Sequence, residues 1–326
     1  MDTTSLMPRL DAAISAYLTH YRALRRGYDQ EEWLLGQMRA FLVRQGARDL
    51  DREIFEQWRN TFCHLHPNSR HTYERIVHNL CRYRRRSEPG CFLPDPSLLT
   101  RPIPHALPMP INSAQIANML AAASALSPTP ASLLRPPVMR ISIVLLYTSG
   151  LRLGELLRLR LDDVDITAGV LRIRESKFHK SRWVPLSLSA LTELRSYLEI
   201  RNRQPGMDNR ANASLLCNCG KEWRPYSKSG MQQALHALFE AAGVRNRDGR
   251  CPRVHDLRHA HAVEALRRWY AEGADVQVNL PKLALCMGHI SIVSTAWYLR
   301  WMPEVIEEAS ERFEQSCSML ISGGRP

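Results

Sequence analysis

The stretch Val254-His255-Asp256-Leu257-Arg258-His259-Ala260-His261 packs three imidazoles and one guanidinium into eight residues. The residues after it, with Ala262, Val263, Ala265 and Leu266, include neither Gly nor Pro and read as helix. On a helix His255, Arg258 and His259 share a face, because residues three and four apart are neighbours. That face sets a fixed cation beside a group that titrates near neutral pH. His261 falls well off the face, so a three-histidine metal site is not expected. Taken alone, the stretch has an ordinary reading as a solvated helix face. The rest of the chain decides.

The 326 residues suffice for two domains, and 44% apolar with 23% charged side chains places the chain among soluble globular proteins. The net charge of +12 points to a polyanionic partner. Residues 97–302 hold 27 basic and 15 acidic side chains, so the excess sits in the middle of the chain. Most of the basic residues are Arg, whose forked donors match phosphate. No apolar run of membrane-spanning length and no signal peptide is present, so a cytoplasmic protein is expected, with no membrane partner. The eight cysteines lack paired Cys-x-x-Cys spacing, which favours free thiols, and no metal or other cofactor is expected.

Apolar stripes predict four helices, over residues 10–26, 29–45, 51–64 and 69–86, making a helical bundle over 1–90. The last of them ends in Arg82-Tyr83-Arg84-Arg85-Arg86. Those four arginines are either a solvated helix end or a DNA-backbone contact. Prolines crowd the next segment, so 91–111 is expected as an extended linker. From 112 to 326 the reading is mainly helical with one small antiparallel hairpin, Gly169–Arg174 returning through Trp183–Leu186. Lys177, Lys180 and Arg182 line the basic turn between its strands. An acidic amphipathic helix is expected at 303–316.

Three features join the opening stretch. Gly150-Leu151-Arg152-Leu153-Gly154-Glu155-Leu156 puts one Arg in a tight turn ahead of a helix; Lys177 lies at the hairpin tip; Gly288-His289 precedes Tyr298 by nine residues from His289. Singly these are bland: Tyr298 beside Trp297 reads as a core aromatic, His289 as a helix cap, Lys177 as a basic loop. In the order Arg…Lys…His-x-x-Arg…His…Tyr, the chain resembles the tyrosine recombinase (phage integrase) family over essentially its whole length. Lys177 is the lysine eight residues before Pro185, as in that family's hairpin. Two departures stand out: a longer segment between Arg258 and His289, and Cys286-Met287-Gly288-His289 where Leu-Gly-His is commoner.

The resemblance implies a mainly α, two-domain architecture and a DNA recombinase acting through a 3′-phosphotyrosine, without metal or ATP. It implies Arg152 and Arg258 as phosphate clamps, Tyr298 as nucleophile, His255 as proton handler, Lys177 as general acid and His289 as a further phosphate donor. His259 is expected to be structural. Implied partners are double-stranded DNA, a second copy per site, a tetramer in the synapse and other recombinases of the same element. A bundle opening the chain favours a simple recombinase or mobile-element transposase. The alternatives are a type IB topoisomerase and a non-catalytic architectural DNA-binding protein.

Overall fold

The apolar stripes at the start of the chain form four helices: α1 (Pro8–Ala23), α2 (Asp29–Arg44), α3 (Arg52–Asn60) and α4 (Pro67–Arg84). Asp51 caps α3 by accepting the Ile54 N–H, and α4 opens on Pro67, whose missing N–H is harmless in a first turn. Leu35, Met38, Leu42, Trp58, Val77 and Leu80 meet in their common core. The computed structural model describes residues 8–24, 27–104, 108–109, 111–174, 181–219, 223–245, 249–289, 291–296 and 298–299. Lys177, Lys180 and the tail helix expected at 303–316 lie outside the described residues.

The chain divides into two compact units, Met1–Ala106 and Leu107–Pro326. Of the proline-rich stretch expected as an extended linker over 91–111, residues 94–103 run against α4, and the division between the units falls after Ala106. His78 Nδ1 lies 3.0 Å from the Pro94 carbonyl, and His71 Nδ1 lies 2.8 Å from that of Thr100. Asn68 bonds the Ile103 backbone in both directions, at 3.0 and 2.7 Å. The buried Glu74 carboxylate accepts the Thr100 N–H, the Thr100 hydroxyl and the Arg59 guanidinium. An extended, proline-rich chain has few backbone bonds of its own, and α4 side chains supply them.

One arginine expected to face DNA does not. Arg84 is 5% exposed and pairs with Asp49 at 2.5 and 2.7 Å and with Glu88 at 2.7 Å. It lies on the buried stripe of α4, where Glu74, Val77 and Leu80 also point inward. Arg82, Arg85 and Arg86 are exposed.

The second unit is built around α6 (Arg135–Thr148), whose Val138, Met139, Ile141, Ile143, Leu145 and Leu146 are all buried. Around it stand α5 (Ser113–Ser124), α7 (Leu153–Arg158), α8 (Leu188–Asn202), α9 (Lys228–Ala241), α10 (Val254–Ala271), α11 (Val276–Met287) and the short α12 (Val293–Ala296). The expected hairpin is present as β2 (Val170–Ile173) and β3 (Arg182–Pro185), with Leu171 opposite Val184. A two-residue strand, β1 (Val164–Asp165), extends it to a three-stranded antiparallel sheet. A second hairpin, β4 (Cys217–Cys219) with β5 (Trp223–Pro225), has no counterpart in the sequence reading. Among the described residues no helix is long and apolar enough to cross a membrane.

Candidate active site

Helix α10 opens on a reciprocal cap. The Asp256 carboxylate accepts the Arg253 backbone N–H at 2.8 Å and the Arg253 guanidinium at 3.1 Å. This sets the first turn, and with it the directions of His255, Arg258 and His259. Arg258 points inward and is 1% exposed. So deep a charge is costly unless its donors are met. Its Nη1 donates to the Gly150 carbonyl at 2.5 Å and its Nη2 to the Met287 carbonyl at 2.6 Å. Burial, then the Arg152 cation, push its pKa below the usual guanidinium value.

The second arginine enters from the turn before α7. Gly150 adopts φ 59°, and a Cβ there would stand 2.5 Å from Cδ2 of His261. His261 Nδ1 lies 3.0 Å from the Tyr147 carbonyl, so this imidazole closes the turn that presents both the Gly150 carbonyl and Arg152. Glu155, 3% exposed, returns to accept the Arg152 N–H at 2.9 Å and its Nη1 at 2.8 Å. The same carboxylate takes two bonds from Arg182, at 3.1 and 2.8 Å. Burial alone would raise the Glu155 pKa, but the Arg182 and Arg152 donors outweigh it and hold the group at about 2.

Helix α11 is where these cations converge. It ends at Gly288, φ 67°, with the Gly288 N–H bonded to the Leu285 carbonyl and the His289 N–H to that of Ala284. The next three carbonyls each receive one arginine. Cys286 accepts from Arg182 Nε at 2.7 Å, Met287 from Arg258 at 2.6 Å, and Gly288 from Arg152 Nη2 at 3.2 Å. A helix C-terminus leaves carbonyls unpaired and carries partial negative charge, so it suits cations. A Cβ on Gly288 would lie 2.8 Å from Arg182 Nη1, which leaves room only for glycine.

Tyr298 completes the cluster. It is 3% exposed, and its hydroxyl lies 2.8 Å from His259 Nδ1. The His289 ring stacks beside it, centroids 6.3 Å apart at 16°, and is oriented by Thr295 Oγ1, 2.7 Å from its Nδ1. Burial raises the Tyr298 pKa, while Arg258 and Arg152 pull it back. Burial, then Arg258 and Arg152, lowers His289 to about 4; burial, then His255, does the same to His259. His255, open to solvent on one side, packs its ring edge-on against that of His259, centroids 4.7 Å apart. Burial first, then Arg258, depresses its pKa as well.

A groove of about 590 Å³ opens beside this cluster, lined by Arg152, Arg158, Lys228, Gln232, Arg253 and His255. A larger hollow, about 870 Å³, lies on the sheet side of Glu155. Its carboxylates are consumed by neighbouring arginines, Asp163 by Arg172 and Arg174, Asp208 by Arg210. We take the smaller groove as the mouth of the site because Arg152 and His255 line it.

The residues singled out in the sequence thus separate into groups. Arg152, His255, Arg258, His289 and Tyr298 come together at the end of α11. Lys177 and Lys180 fall outside the described residues. Arg182, expected on a DNA-facing turn, is turned inward onto Glu155 and the Cys286 carbonyl, because β3 starts beside the end of α11. Glu155, His259 and His261 hold the site, although the sequence alone gives them no more than structural or bystander parts. The signal available for His259 is its place one turn after His255; for Glu155 it is the capping-box spacing from Arg152.

The phage integrase family model matches residues 111–304. A chain of Sinorhizobium fredii named "Putative integrase/recombinase y4rB" is 32% identical over 305 residues, 93% of this chain and 96% of that one. This chain belongs to the phage integrase family. It is a DNA recombinase of the tyrosine type. Tyrosine recombinase XerA of Pyrococcus furiosus is 27% identical over 176 residues, 53% of this chain and 54% of that relative. Among solved structures, the Tn1549 transposon integrase in complex with transposon right end DNA aligns with a TM-score of 0.64, covering 94% of this chain and 98% of that one. At 14% identity this is a likeness of fold. The recombinase fold accounts for the mixture seen here, mostly helix with two small antiparallel sheets.

Proposed function

We propose that this recombinase cuts and rejoins double-stranded DNA at specific sites through a 3′-phosphotyrosine formed on Tyr298, as part of integrating, excising or transposing a mobile element. The observation that carries the reading is the convergence of Arg152, Arg258, His289 and Tyr298, from three separate stretches of sequence, on one helix end. Attack on a phosphodiester builds extra charge on the non-bridging oxygens of a five-coordinate phosphorus. Two arginines already oriented by backbone carbonyls are positioned to meet that charge, and so favour the transition state over the ground state. Their remaining guanidinium N–H groups, with His255 and His289, ring the phosphate. Lys177, which lies between β2 and β3 in the sequence, is the general acid that protonates the leaving 5′-oxygen. The covalent phosphotyrosine conserves the bond for rejoining.

Cationic side chains fill the place a divalent ion takes in other phosphoryl-transfer enzymes, so the reaction runs without metal or ATP. Arg82, Arg85 and Arg86 are offered to the DNA backbone by the first unit. The related transposon integrase was solved with its transposon end DNA, which supports DNA as the partner here. Assembly is proposed as one dimer per site and a tetramer in the synapse, in the nucleoid.

The test is a nicked suicide duplex carrying candidate element ends, incubated with the protein in EDTA. A covalent protein–DNA adduct is expected, and Tyr298→Phe abolishes it. An adduct that persists in Tyr298→Phe, or that requires added magnesium, refutes the mechanism.

A further inference from the structure

We propose that His259 holds the Tyr298 hydroxyl and takes up its proton as the phenol attacks phosphorus, an assignment that rests on Tyr298 being the nucleophile. The separation of 2.8 Å between His259 Nδ1 and the Tyr298 hydroxyl is within reach of direct proton transfer. With its own proton on Nε2, the ring offers the Nδ1 lone pair to the phenolic O–H. His255, read from the sequence as the proton handler, opens instead onto the groove and packs against the back of this pair.

The step balances. As the bond from Tyr298 Oη to phosphorus forms, its proton moves to His259 Nδ1. The bond from phosphorus to O5′ breaks, its electron pair leaves on O5′, and the general acid protonates that oxygen. Rejoining reverses each transfer, and His259 returns the proton to Tyr298. Before DNA arrives, burial and the neighbouring His255 keep His259 neutral down to about pH 4, so the phenol stays protonated. A phosphate brought between Arg152 and Arg258 adds negative charge beside the imidazole and makes its positive form easier to reach. The nucleophile is therefore armed by its substrate.

The deciding variant is His259→Asn, whose amide oxygen stands near the Nδ1 position and accepts a hydrogen bond but is no base. Single-turnover cleavage by the full chain is measured on two suicide duplexes, one with the ordinary 5′-oxygen and one with a bridging 5′-sulfur, a leaving group that needs no acid. His259→Asn is expected to bind DNA like wild type yet cleave both duplexes at least about 100-fold more slowly. Lys177→Ala should be slow on the oxygen duplex and recover on the sulfur one. Near-wild-type cleavage by His259→Asn, or its recovery on sulfur, overturns the assignment. Tyr298→Phe runs alongside: an adduct from that variant defeats the nucleophile reading itself, whereas its loss with His259→Asn unaffected defeats only the role of His259.

Should His259→Asn not fold, wild type, His255→Asn and His289→Asn are compared on the sulfur duplex, where the general acid no longer shapes the pH profile. The charged and titratable groups facing His259 are His255, Asp256 and Arg258 on α10 and Arg253 just before it, with His289 and Tyr298 opposite. The acid-side fall must survive in both of those variants, as His259 protonates; a flat wild-type profile, or one that flattens when His255 or His289 is replaced, rejects the proposal.

Discussion

Glu155 and Gly150 do the least visible work in the site, and each gives a measurable expectation. The Glu155 carboxylate is buried between two guanidiniums, with a folded pKa of about 2. A depressed carboxylate adds stability above its unfolded pKa, and that stability disappears as pH falls toward the folded value. Glu155→Gln should therefore cost on the order of 3 kcal/mol at neutral pH. The gap from wild type should narrow as pH drops below about 4.5. Urea unfolding at pH 7 and pH 3.5 reads this directly, and a gap that ignores pH would contradict the electrostatic account. Gly150→Ala meets two penalties, a left-handed backbone and a Cβ driven into His261. Together these should exceed about 1 kcal/mol and slow cleavage too, because the Gly150 carbonyl holds Arg258. A variant that melts and cleaves like wild type would show that the turn is more plastic than its geometry implies. At this scale the sequence is readable for the residues that would meet the phosphate and much less so for their supports. Spacing on a helix tells which side chains share a face. It does not tell that Tyr298 would arrive over His259 rather than His255, or that Arg182 would turn inward.

Among the elements, α11 has the largest organising role, since its last turn receives arginines from three other parts of the unit. Arg182 ties the start of β3 to that turn and to Glu155, so it positions Arg152 without touching the phosphate. Arg182→Lys keeps the charge but loses the fork that reaches both Glu155 oxygens and the Cys286 carbonyl. Cleavage should fall at least about tenfold with DNA affinity retained, measured by single-turnover cleavage beside a binding isotherm. Equal losses in both would make Arg182 a DNA contact instead. The long helices are legible because their apolar stripes run over several turns. Strands β1, β4 and β5 are two or three residues long, too short for alternation to register. The proline-rich stretch is a different case: α4 side chains satisfy the backbone at Pro94, Thr100 and Ile103, which no local pattern announces. Pro281 likewise hides the true start of α11 at Val276.

For the whole molecule, the clustered imidazoles make acid stability and DNA binding pull in the same direction. His259, His261 and His289 each have folded pKa values of about 4, first because they are buried. The unfolded chain binds their protons near pH 6.5, so stability should be full above that value and decline on acidification toward pH 4. Each group contributes up to about 1.4 kcal/mol per pH unit in that window. Thermal melts from pH 7.5 to 4.5 should show the decline, and a bound oligonucleotide should blunt it; a level profile would mean that the imidazoles are hydrated in solution. With a net charge of +12, affinity for DNA should also fall steeply with salt. The three consecutive carbonyls at Cys286, Met287 and Gly288 act as a ruler read backward from the end of α11. One residue inserted within that last turn would swing all three acceptors by about 100°. The turn at 272–275, between α10 and α11, lies outside the ruled portion. Chain-length variation among relatives should therefore gather in that turn, which is where a lineage can lengthen the span from Arg258 to His289 while every charge stays in place.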